Sequence, residues 1–287
     1  MQENVGIVIV SYHNPEMTIR YVTQELPKLL IPYTVVVVNV ASTHSESKEL
    51  ADRCGLHYVE NMQIAKSSQV QGYLILAEEN LGYARGNNLG VHFLNRIGTF
   101  SYYLFSNDDI EIKSPDILEV LKQKMKEGPN IGCIGPRIIG VDGHDQSPHD
   151  NYISPYRHIG WRLFPFLRKK KKTNMEMSTM VQQDARFTYW VCGAFMMVDA
   201  AAFMEAGMFD EHTFLYYEEV ILSERLKRIS KRTYYEPSVT VLHYEGGSST
   251  ASSDRKKKIE KTSREYYYKE YRRVNPLVRV LHDLLSK

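Results

Sequence analysis

Apolar residues in the first half of the chain follow two alternating spacings. Residues 5–10 and 35–38 are short, nearly continuous apolar runs, as expected for strands covered on both faces of a sheet. The stretch between them has apolar residues at helical spacing, at Ile19, Val22, Leu26 and Leu29. Strands that alternate with helices predict an α/β fold in which helices flank a mostly parallel central sheet.

Local sequence signals set the ends of these elements. Asn14 and Pro15 are typical of a helix start, as N-cap and first helical residue. Thr43 and Glu46 have the spacing of a capping box, and Gly55 suits the end of the same helix. The pattern also predicts strands at residues 57–60, 73–76 and 102–105 and helices at residues 84–96 and 118–125.

The second half of the chain is less regular. Residues 141–186 are rich in His, Pro, Lys and Tyr and show little periodicity. Order returns at residues 189–198, and we then expect a helix at residues 219–229 and short strands at 233–235 and 239–243. We predict one domain over residues 1–254, followed by a basic helical tail over residues 255–287.

Composition narrows the classes of function. The 287 residues are 43% hydrophobic and 24% charged, which excludes global disorder, and a formal net charge of +2 gives no support to nucleic-acid binding. Cys54, Cys133 and Cys192 are far apart and odd in number, so we expect neither a zinc site nor a disulfide framework. The N-terminus lacks a signal-peptide pattern and no apolar run reaches about 18 residues, so we expect a cytoplasmic protein without a membrane span.

Three polar residues, Asn107, Asp108 and Asp109, follow the predicted strand at residues 102–105. Ligands of open parallel sheets bind beyond the carboxyl ends of the strands, and carboxylates placed there can hold Mg²⁺ or Mn²⁺. Asn and Asp are also common in solvated turns, and spacing alone leaves the two interpretations evenly matched.

Residues 80–88 combine two glycines and three asparagines before a predicted helix. Such a backbone can approach a ligand closely, and Arg85 could meet a phosphate. Gly82 and Gly86 do not match the dinucleotide-binding fingerprint, however, and on these residues alone a plain loop with a helix cap is favoured.

Two further candidates lie in the second half. Glu218 and Glu219 open a predicted helix, where a carboxylate is either a general base for an acceptor hydroxyl or only a partner of the helix dipole. On this evidence alone the dipole is favoured. His243 ends a predicted strand before Gly246 and Gly247, and it is either a metal ligand or, as is more common, a buried histidine.

Taken in order, these segments resemble inverting family-2 glycosyltransferases, most closely the bacterial rhamnosyltransferase-like branch. The resemblance is carried by residues 8–14 (VIVSYHN), 80–88 (NLGYARGNN), 106–110 (SNDDI), 192–197 (CGAFMM), 209–211 (FDE), 214–219 (FLYYEE), 235–237 (YEP) and His243. It implies a Rossmann-like glycosyltransferase A-type domain. Within this domain, residues 1–135 would be the nucleotide-sugar-binding half and residues 136–254 the acceptor-binding half.

The resemblance also implies roles for single residues. Glu219 would be the catalytic base, and Asp109 and His243 would hold Mn²⁺ or Mg²⁺ beside the donor diphosphate. The donor, a nucleotide-diphosphate sugar linked to dTDP or UDP, would meet Ser11, Tyr12, Asn14, Asn39, Asn80, Gly82, Arg85, Asn87, Asn88, Asn107 and Asp108. The acceptor, a glycan or lipid-linked oligosaccharide, would meet Cys192, Gly193, Ala194 and Glu218.

Three residues depart from the family pattern. Asn39 stands where an Asp usually reads the nucleotide base, which leaves the identity of the base open. Glu219 replaces the usual catalytic Asp, and its extra methylene keeps the acid–base chemistry but changes the reach of the side chain. Ile221 replaces an Asp two residues farther on, where an acceptor or structural contact would be lost.

Two basic regions suggest contacts outside the site. Residues 168–172 (RKKKK) follow the aromatic and apolar residues 161–167, and this combination fits either a peripheral membrane contact or a solvated loop. In the tail, we expect an apolar stripe to pack on the domain core rather than on the second subunit of a homodimer. The stripe consists of Leu277, Val280, Leu281 and Leu284.

Three functions are compatible with the sequence. The leading one is an inverting, metal-dependent glycosyltransferase of polysaccharide biosynthesis. A nucleotidyltransferase that makes sugar nucleotides would have a similar sheet, but residues 11–14 stand where its Gly-rich loop with a basic residue is expected. A non-catalytic relative that binds sugar nucleotides would account for Asn39 and Ile221.

Overall fold

A mixed sheet lies at the centre of the protein. The computed structural model describes residues 4–60, 72–152, 154–164, 184–244 and 253–285. The strands within this part of the chain are β1 (Val5–Tyr12), β2 (Tyr33–Val40), β3 (His57–Val59), β4 (Gly72–Ala77), β5 (Tyr102–Ser106), β6 (Ile110–Ile112), β7 (Ile131–Gly140), β8 (Arg186–Thr188), β9 (Phe195–Asp199) and β10 (Arg232–His243). They follow the order β3-β4-β2-β1-β5-β9-β7-β10-β6, and β8 pairs with the first part of β10.

Helices connect and flank the strands. They are α1 (Pro15–Arg20), α2 (His44–Cys54), α3 (Gly82–Ile97), α4 (Ile117–Glu127), α5 (Pro155–Leu163), α6 (Ala200–Glu205), α7 (Glu218–Arg228), α8 (Ser253–Tyr266) and α9 (Pro276–Leu285). The predicted caps are confirmed. The Asn14 side chain accepts from the N–H of Met17, Thr43 and Glu46 form a capping box, and Gly55 ends α2 with φ at 66°.

The parallel part of the sheet confirms the predicted alternation of strands and helices. β3, β4, β2, β1 and β5 run parallel, and Ile9 of β1 pairs in register with Ser106 of β5. Ile7 and Ile9 enter one apolar cluster and Val8 enters a second, so β1 is buried on both faces. The carboxyl ends of β1 and β5 therefore lie side by side.

The second part of the sheet is mixed. β9 runs antiparallel to both β5 and β7, whereas β10 runs parallel to β7 and antiparallel to β6. The two strands predicted at the end of the domain are one strand, β10, with a register irregularity between Glu236 and Thr240. Pro237 lies in this interval, where it removes a backbone donor and interrupts the apolar pattern.

β7 has no counterpart among the predicted strands. Gly132 and Gly135 interrupt its apolar pattern, because neighbouring side chains pack directly on the strand at these positions. A Cβ at Gly132 would lie 2.9 Å from a methyl carbon of Leu226, and one at Gly135 would lie 2.8 Å from Cβ of Val191. The conformation of β7 thus depends on tertiary packing that its own sequence does not display.

Part of the irregular region forms a short helix. Ser154 caps α5 by accepting from the N–H of Arg157, and Pro155 occupies the first turn. Residues 189–194 precede β9 rather than belonging to it, since that strand begins at Phe195. The predicted basic run at residues 168–172 and the turn at residues 246–247 lie outside the described residues.

The tail is helical, as predicted, but the expected packing of its apolar stripe is wrong. Leu277, Val280 and Leu284 of α9 are 79%, 60% and 60% exposed. The buried residue of this helix is the polar His282, whose ring centre lies 4.7 Å from that of His158 on α5. Helical periodicity predicts which residues form the stripe, but it does not predict which side of α9 packs against the domain. No helix in the described segments is long and apolar enough to cross a bilayer.

Candidate active site

A cavity of about 710 Å³ opens beyond the carboxyl ends of β1 and β5. The start of α3, the segment before β9 and the start of α7 also line it, so both halves of the chain contribute. The predicted residues that line it are Tyr12, Asn80, Gly82, Asn87, Asn107, Asp108, Cys192, Gly193, Ala194, Glu218, Glu219 and His243. Residues distant in sequence thus converge on one volume, as a binding site requires.

A chain of buried hydroxyls holds Asp108. Its Oδ2 accepts a hydrogen bond from Thr18 Oγ1 at 2.7 Å, and the hydroxyls of Thr18 and Ser11 lie 2.7 Å apart. Burial raises the pKa of Asp108 to about 6, although the bond from Thr18 acts in the opposite direction. Thr18 is not among the predicted site residues. It lies four residues after the Asn14 cap, on the side of α1 that meets β1.

Asp109 and His243 form a close pair where β6 meets β10. Oδ1 of Asp109 lies 3.1 Å from Nε2 of His243. Nδ1 of His243 lies 2.6 Å from Oε1 of Gln146, an oxygen that can only accept, so Nδ1 carries a proton. In the neutral ring, Nε2 then accepts from the side-chain amide of Asn107 at 3.3 Å and also faces the Asp109 carboxylate. A lone pair and a carboxylate at this distance favour a cation between them.

This donor set fits a divalent cation held partly by a substrate. Mg²⁺ is usually bound in proteins by one or two carboxylates together with substrate phosphates, and imidazole suits transition metals. Among the described residues, no group of three or more His, Cys, Asp or Glu side chains could hold a metal ion. Asp109 and His243 would therefore bind such a cation together with further ligands, for which a diphosphate is suitable.

Glu219 is half-buried in the same cavity at the start of α7. Its Oε1 accepts a hydrogen bond from the backbone N–H of Gly193 at 2.9 Å. Burial raises the pKa of Glu219, while the Gly193 N–H favours its ionised form. Burial raises the pKa of Glu218 well above its ordinary value, and the charge of Glu219 raises it further. Of the two carboxyl groups, Glu218 therefore has the pKa that is raised further.

The first turn of α3 closes the cavity beside Glu219. Tyr83 Oη donates to the carbonyl of Gly193 at 2.8 Å, and the Tyr83 N–H donates to the carbonyl of Phe214 at 2.9 Å. Gly82 has φ at 69°, and a Cβ there would lie 2.1 Å from the carbonyl oxygen of Phe214. Gly82 thus permits a close backbone approach, and Tyr83 links the start of α3 to Gly193, the residue that holds Glu219.

Six predicted residues do not line the cavity formed by the described residues: Ser11, Asn14, Asn39, Arg85, Asn88 and Asp109. Ser11 and Asp109 act on it through the contacts above, and Asn14 caps α1. Asn39 donates to Ser47 Oγ at 3.0 Å, and Arg85 is exposed. The Asn88 side chain bonds both the N–H and the carbonyl of Phe209, at 3.2 and 3.0 Å.

Other cavity residues lie outside the motifs: Gln146, His149, Trp190, Arg255, Lys256 and Glu260. The rings of His149 and Trp190 stack with their centres 3.6 Å apart. Arg255 and Lys256 bring positive charge from the first turn of α8. Gln146 and His149 belong to the irregular region, Trp190 follows it, and the other three belong to the tail. None of the six lies in a segment that carries the family resemblance.

Curated relatives of the chain are glycosyltransferases. It is 26% identical over 178 residues to N-acetylglucosaminyl-diphospho-decaprenol L-rhamnosyltransferase of Mycobacterium tuberculosis, covering 59% of this chain and 58% of the relative. It is 26% identical over 234 residues to the low-salt glycan biosynthesis hexosyltransferase Agl10 of Haloferax volcanii (79% and 63%), and 24% identical over 168 residues to rhamnosyltransferase WbbL of Escherichia coli (57% and 61%). The chain therefore spans less than two thirds of the length of each relative. No protein-family model matches it.

Solved glycosyltransferases share its fold. The structure of GalNAc-T7 with UDP, GalNAc and Mn²⁺ superposes with a TM-score of 0.59 at 14% identity, covering 99% of this chain and 54% of that one. The mannosyltransferase PcManGT from Pyrobaculum calidifontis, in complex with GDP-Man and Mn²⁺, gives 0.55 at 12% identity, covering 99% and 74%. The resemblance seen in the motifs is thus confirmed: the chain has the glycosyltransferase A-type fold and is a sequence relative of curated rhamnosyltransferases and a hexosyltransferase.

Proposed function

We propose that this chain is an inverting, metal-dependent glycosyltransferase of polysaccharide biosynthesis. It would move a sugar from a nucleotide-diphosphate donor to a glycan or lipid-linked glycan acceptor. The observation that carries the proposal is that Glu219, held by the N–H of Gly193, lines the same cavity as Asp108 and His243. Transfer with a diphosphate leaving group needs a positioned base and a donor pair suited to a metal ion.

The relatives support the classes of substrate. The mycobacterial relative is named as a rhamnosyltransferase of N-acetylglucosaminyl-diphospho-decaprenol, and the two structural neighbours were solved with Mn²⁺ and with UDP or GDP-Man. For this chain we infer a donor linked to dTDP or UDP, and Mn²⁺ or Mg²⁺ as the cation. We assign donor binding to residues 1–135 and acceptor binding to residues 136–254, with the tail over residues 255–287 as a separate segment.

The acceptor side of the proposed reaction rests on Glu219. Its carboxylate takes the proton of the acceptor hydroxyl while that oxygen attacks the anomeric carbon. The bond between the anomeric carbon and the diphosphate oxygen breaks on the opposite face, which inverts the anomeric centre. Because burial raises the pKa of Glu219, its carboxylate is a stronger base than that of an exposed glutamate.

The donor side rests on Asp109 and His243. These two residues would hold the cation, and Gln146 would keep the ring tautomer that leaves Nε2 available. A cation held there would neutralise the negative charge that develops on the departing diphosphate. Asp108, oriented by Thr18, and Asn107 line the cavity beside this pair and would contact the donor.

The test is sugar transfer, or slow donor hydrolysis, across a panel of dTDP-, UDP- and GDP-sugars with Mn²⁺ or Mg²⁺. We expect one donor class to turn over, a chelator to abolish the reaction, and NMR of the product to show the inverted anomer. Glu219→Gln should lower turnover by about 100-fold or more and retain nucleotide binding. If Glu219→Gln and Asp109→Ala both kept the wild-type rate, the mechanism would be wrong. Metal-dependent nucleotide binding with no turnover of any donor would instead identify a non-catalytic relative.

A further inference from the structure

Helices α5 and α9 pack on each other and expose apolar side chains together. Arg162 Nε donates to the carbonyl of Leu285 at 2.8 Å, and the rings of His158 and His282 meet between the two helices. We call six of the exposed apolar residues of this pair the docking face. They are Trp161, Leu163, Phe164, Leu277, Val280 and Leu284.

Helix α9 exposes its apolar side chains and buries a polar one, which is the reverse of a helix that packs on the core of a soluble domain. Leu277, Val280 and Leu284 recur at helical spacing on the exposed side of α9, whereas the polar His282 faces inward. Leu163 and Phe164, where α5 ends, are 52% and 49% exposed. Apolar side chains grouped in this way on two adjoining helices indicate an interaction surface.

The two chain segments that carry the docking face hold mostly positive charge. Residues 154–164 and 272–285 contain five arginines and one carboxylate, that of Asp283. Asp283 is already paired with Lys261 and Arg264 of α8. Arg272 and Arg279 pair with Glu224 and Glu265, whereas Arg157, Arg162 and Arg273 are exposed. An acidic or phosphate-bearing surface is therefore the complementary partner.

Trp161 and Arg157 bring an exposed apolar ring and a positive charge into direct contact. The guanidinium carbon of Arg157 lies 4.9 Å from the centre of the Trp161 ring. Tryptophan and arginine share a preference for the boundary between headgroups and acyl chains, where the ring or stem is apolar and the polar end stays hydrated. The pair is thus suited to the headgroup region of a bilayer rather than to its hydrocarbon interior.

We propose that the docking face binds the surface of a bilayer that contains anionic phospholipids. The apolar side chains enter the headgroup–acyl boundary, and the arginines bind lipid phosphates. A second copy of this chain is a poorer occupant, because a two-fold interface would bring one arginine-rich surface against another. The proposal concerns binding alone and does not depend on sugar transfer.

The docking face also adjoins the candidate active site. Trp161 and Arg162 line a second cavity of about 440 Å³. Tyr217 and Glu260 line both this cavity and the main one. A chain docked through this face would therefore hold the main cavity close to the bilayer, where a lipid-linked acceptor would be present.

The experiment is vesicle co-sedimentation of the full chain without donor or acceptor. We expect binding to vesicles of phosphatidylcholine mixed with phosphatidylglycerol, and much weaker binding to phosphatidylcholine alone. The double variant Leu277→Ser/Leu284→Ser should bind the mixed vesicles about tenfold more weakly, since two exposed leucines no longer enter the boundary. Arg273→Gln should reduce the preference for phosphatidylglycerol and the sensitivity to salt.

Leu30→Ser is the matched control. Leu30 is 65% exposed between α1 and β2, outside the docking face, and its substitution should leave vesicle binding unchanged. Circular dichroism melting would establish that all variants are folded. The proposal is overturned if the wild-type chain ignores both vesicles or if Leu30→Ser weakens binding as much as the double variant. It is also overturned if light scattering shows a dimer that the double variant dissociates.

Discussion

Oε1 of Glu219 lies 2.9 Å from the backbone nitrogen of Gly193, and this hydrogen bond joins the first turn of α7 to the segment before β9. Because the donor belongs to the backbone, the fold rather than another flexible side chain fixes the carboxylate. The carbonyl of Gly193 is held in turn by Tyr83 Oη. The extra methylene of a glutamate, compared with an aspartate, is thus accommodated by a residue without a side chain.

Replacing Gly193 by alanine should reduce turnover strongly with little loss of stability. A Cβ at this position would lie 2.5 Å from Oε1 of Glu219 and 3.0 Å from Oη of Tyr83. Both atoms end side chains, so we expect them to move while the fold persists. A displacement of about 1 Å at a catalytic group can cost about 100-fold in rate. The measurements are kcat and melting temperature.

The control for this variant is Gly160→Ala. A Cβ at Gly160 would meet nothing within 4 Å, so activity should not change and helix propensity should raise stability slightly. Wild-type turnover in Gly193→Ala would show that the contact between Gly193 and Glu219 does not position the base.

The acidic limb of the pH–rate profile should lie above the range of an ordinary glutamate. Burial raises the pKa of Glu219 above its usual 4.5, so the base is lost to protonation as the pH falls through this raised value. Glu218→Gln should leave the limb in place, because Glu218 is already neutral when Glu219 titrates. The measurement is kcat/KM against pH. A limb displaced to lower pH in Glu218→Gln would mean that Glu218 ionises first.

Glu218 should make the folded protein less stable as the pH rises. Its pKa is raised well above 4.5 by burial and by the charge of Glu219, so the folded state retains a proton that the unfolded chain releases. The resulting stabilisation is complete below about pH 4.5 and is lost as the pH rises through the folded-state pKa. Glu218→Gln removes this term, and its melting temperature should fall less between about pH 5 and pH 8 than that of the wild type. Parallel curves for the two proteins would contradict the raised pKa.

The sequence predicts the parallel part of the sheet better than the mixed part for a physical reason. β1, β2 and β5 are buried on both faces and are therefore continuous apolar runs that can be recognised without tertiary information. In β7, Gly132 and Gly135 receive the side chains of Leu226 and Val191, and those contacts form only in the folded chain. The tail is a second example. The apolar stripe on α9 can be recognised in the sequence, but the packing of α9 on α5 sets its orientation.

The candidate site likewise contains residues that the sequence indicates and residues that only the structure reveals. Asp109, Glu219 and His243 lie in motifs whose residue types already indicate their chemistry. Thr18 and Gln146 act through contacts with residues 90 and 97 positions away, so nothing in their local sequence marks them. Supporting residues of this kind are found by geometry rather than by pattern.

Removing the acceptor from Nδ1 of His243 should weaken cation binding without unfolding the protein. Gln146→Ala lets the ring turn and lets the proton move to Nε2, and supporting contacts of this kind are worth about 10- to 100-fold in metal affinity. Gln146→Glu keeps an acceptor and should restore most of that affinity. The measurement is a Mn²⁺ titration by electron paramagnetic resonance with a nucleoside diphosphate present. Gln123→Ala, at an exposed residue that bonds Glu127, is the control. Equal Mn²⁺ affinity in Gln146→Ala and the wild type would argue against His243 as a ligand.

Asn88 should behave as a structural residue, unlike its neighbour Asn87. The Asn88 side chain satisfies both the N–H and the carbonyl of Phe209, and all these atoms are buried. Asn88→Ala leaves two buried backbone groups without these partners, which should lower the free energy of unfolding by about 2–4 kcal/mol. Asn87 instead lines the cavity, where its amide donates to the carbonyl of Tyr83 at 3.0 Å.

The two alanine variants therefore separate stability from donor binding at adjacent positions. Asn88→Ala should lower the melting temperature by several degrees and leave KM for the donor unchanged at a temperature where the protein is folded. Asn87→Ala should raise KM for the donor, since its side chain reaches the cavity that Asn88 does not line. Because both asparagines belong to one motif, the motif alone assigns them the same role. A donor KM that rises in folded Asn88→Ala as much as in Asn87→Ala would favour that shared role over the one that the Phe209 contacts indicate.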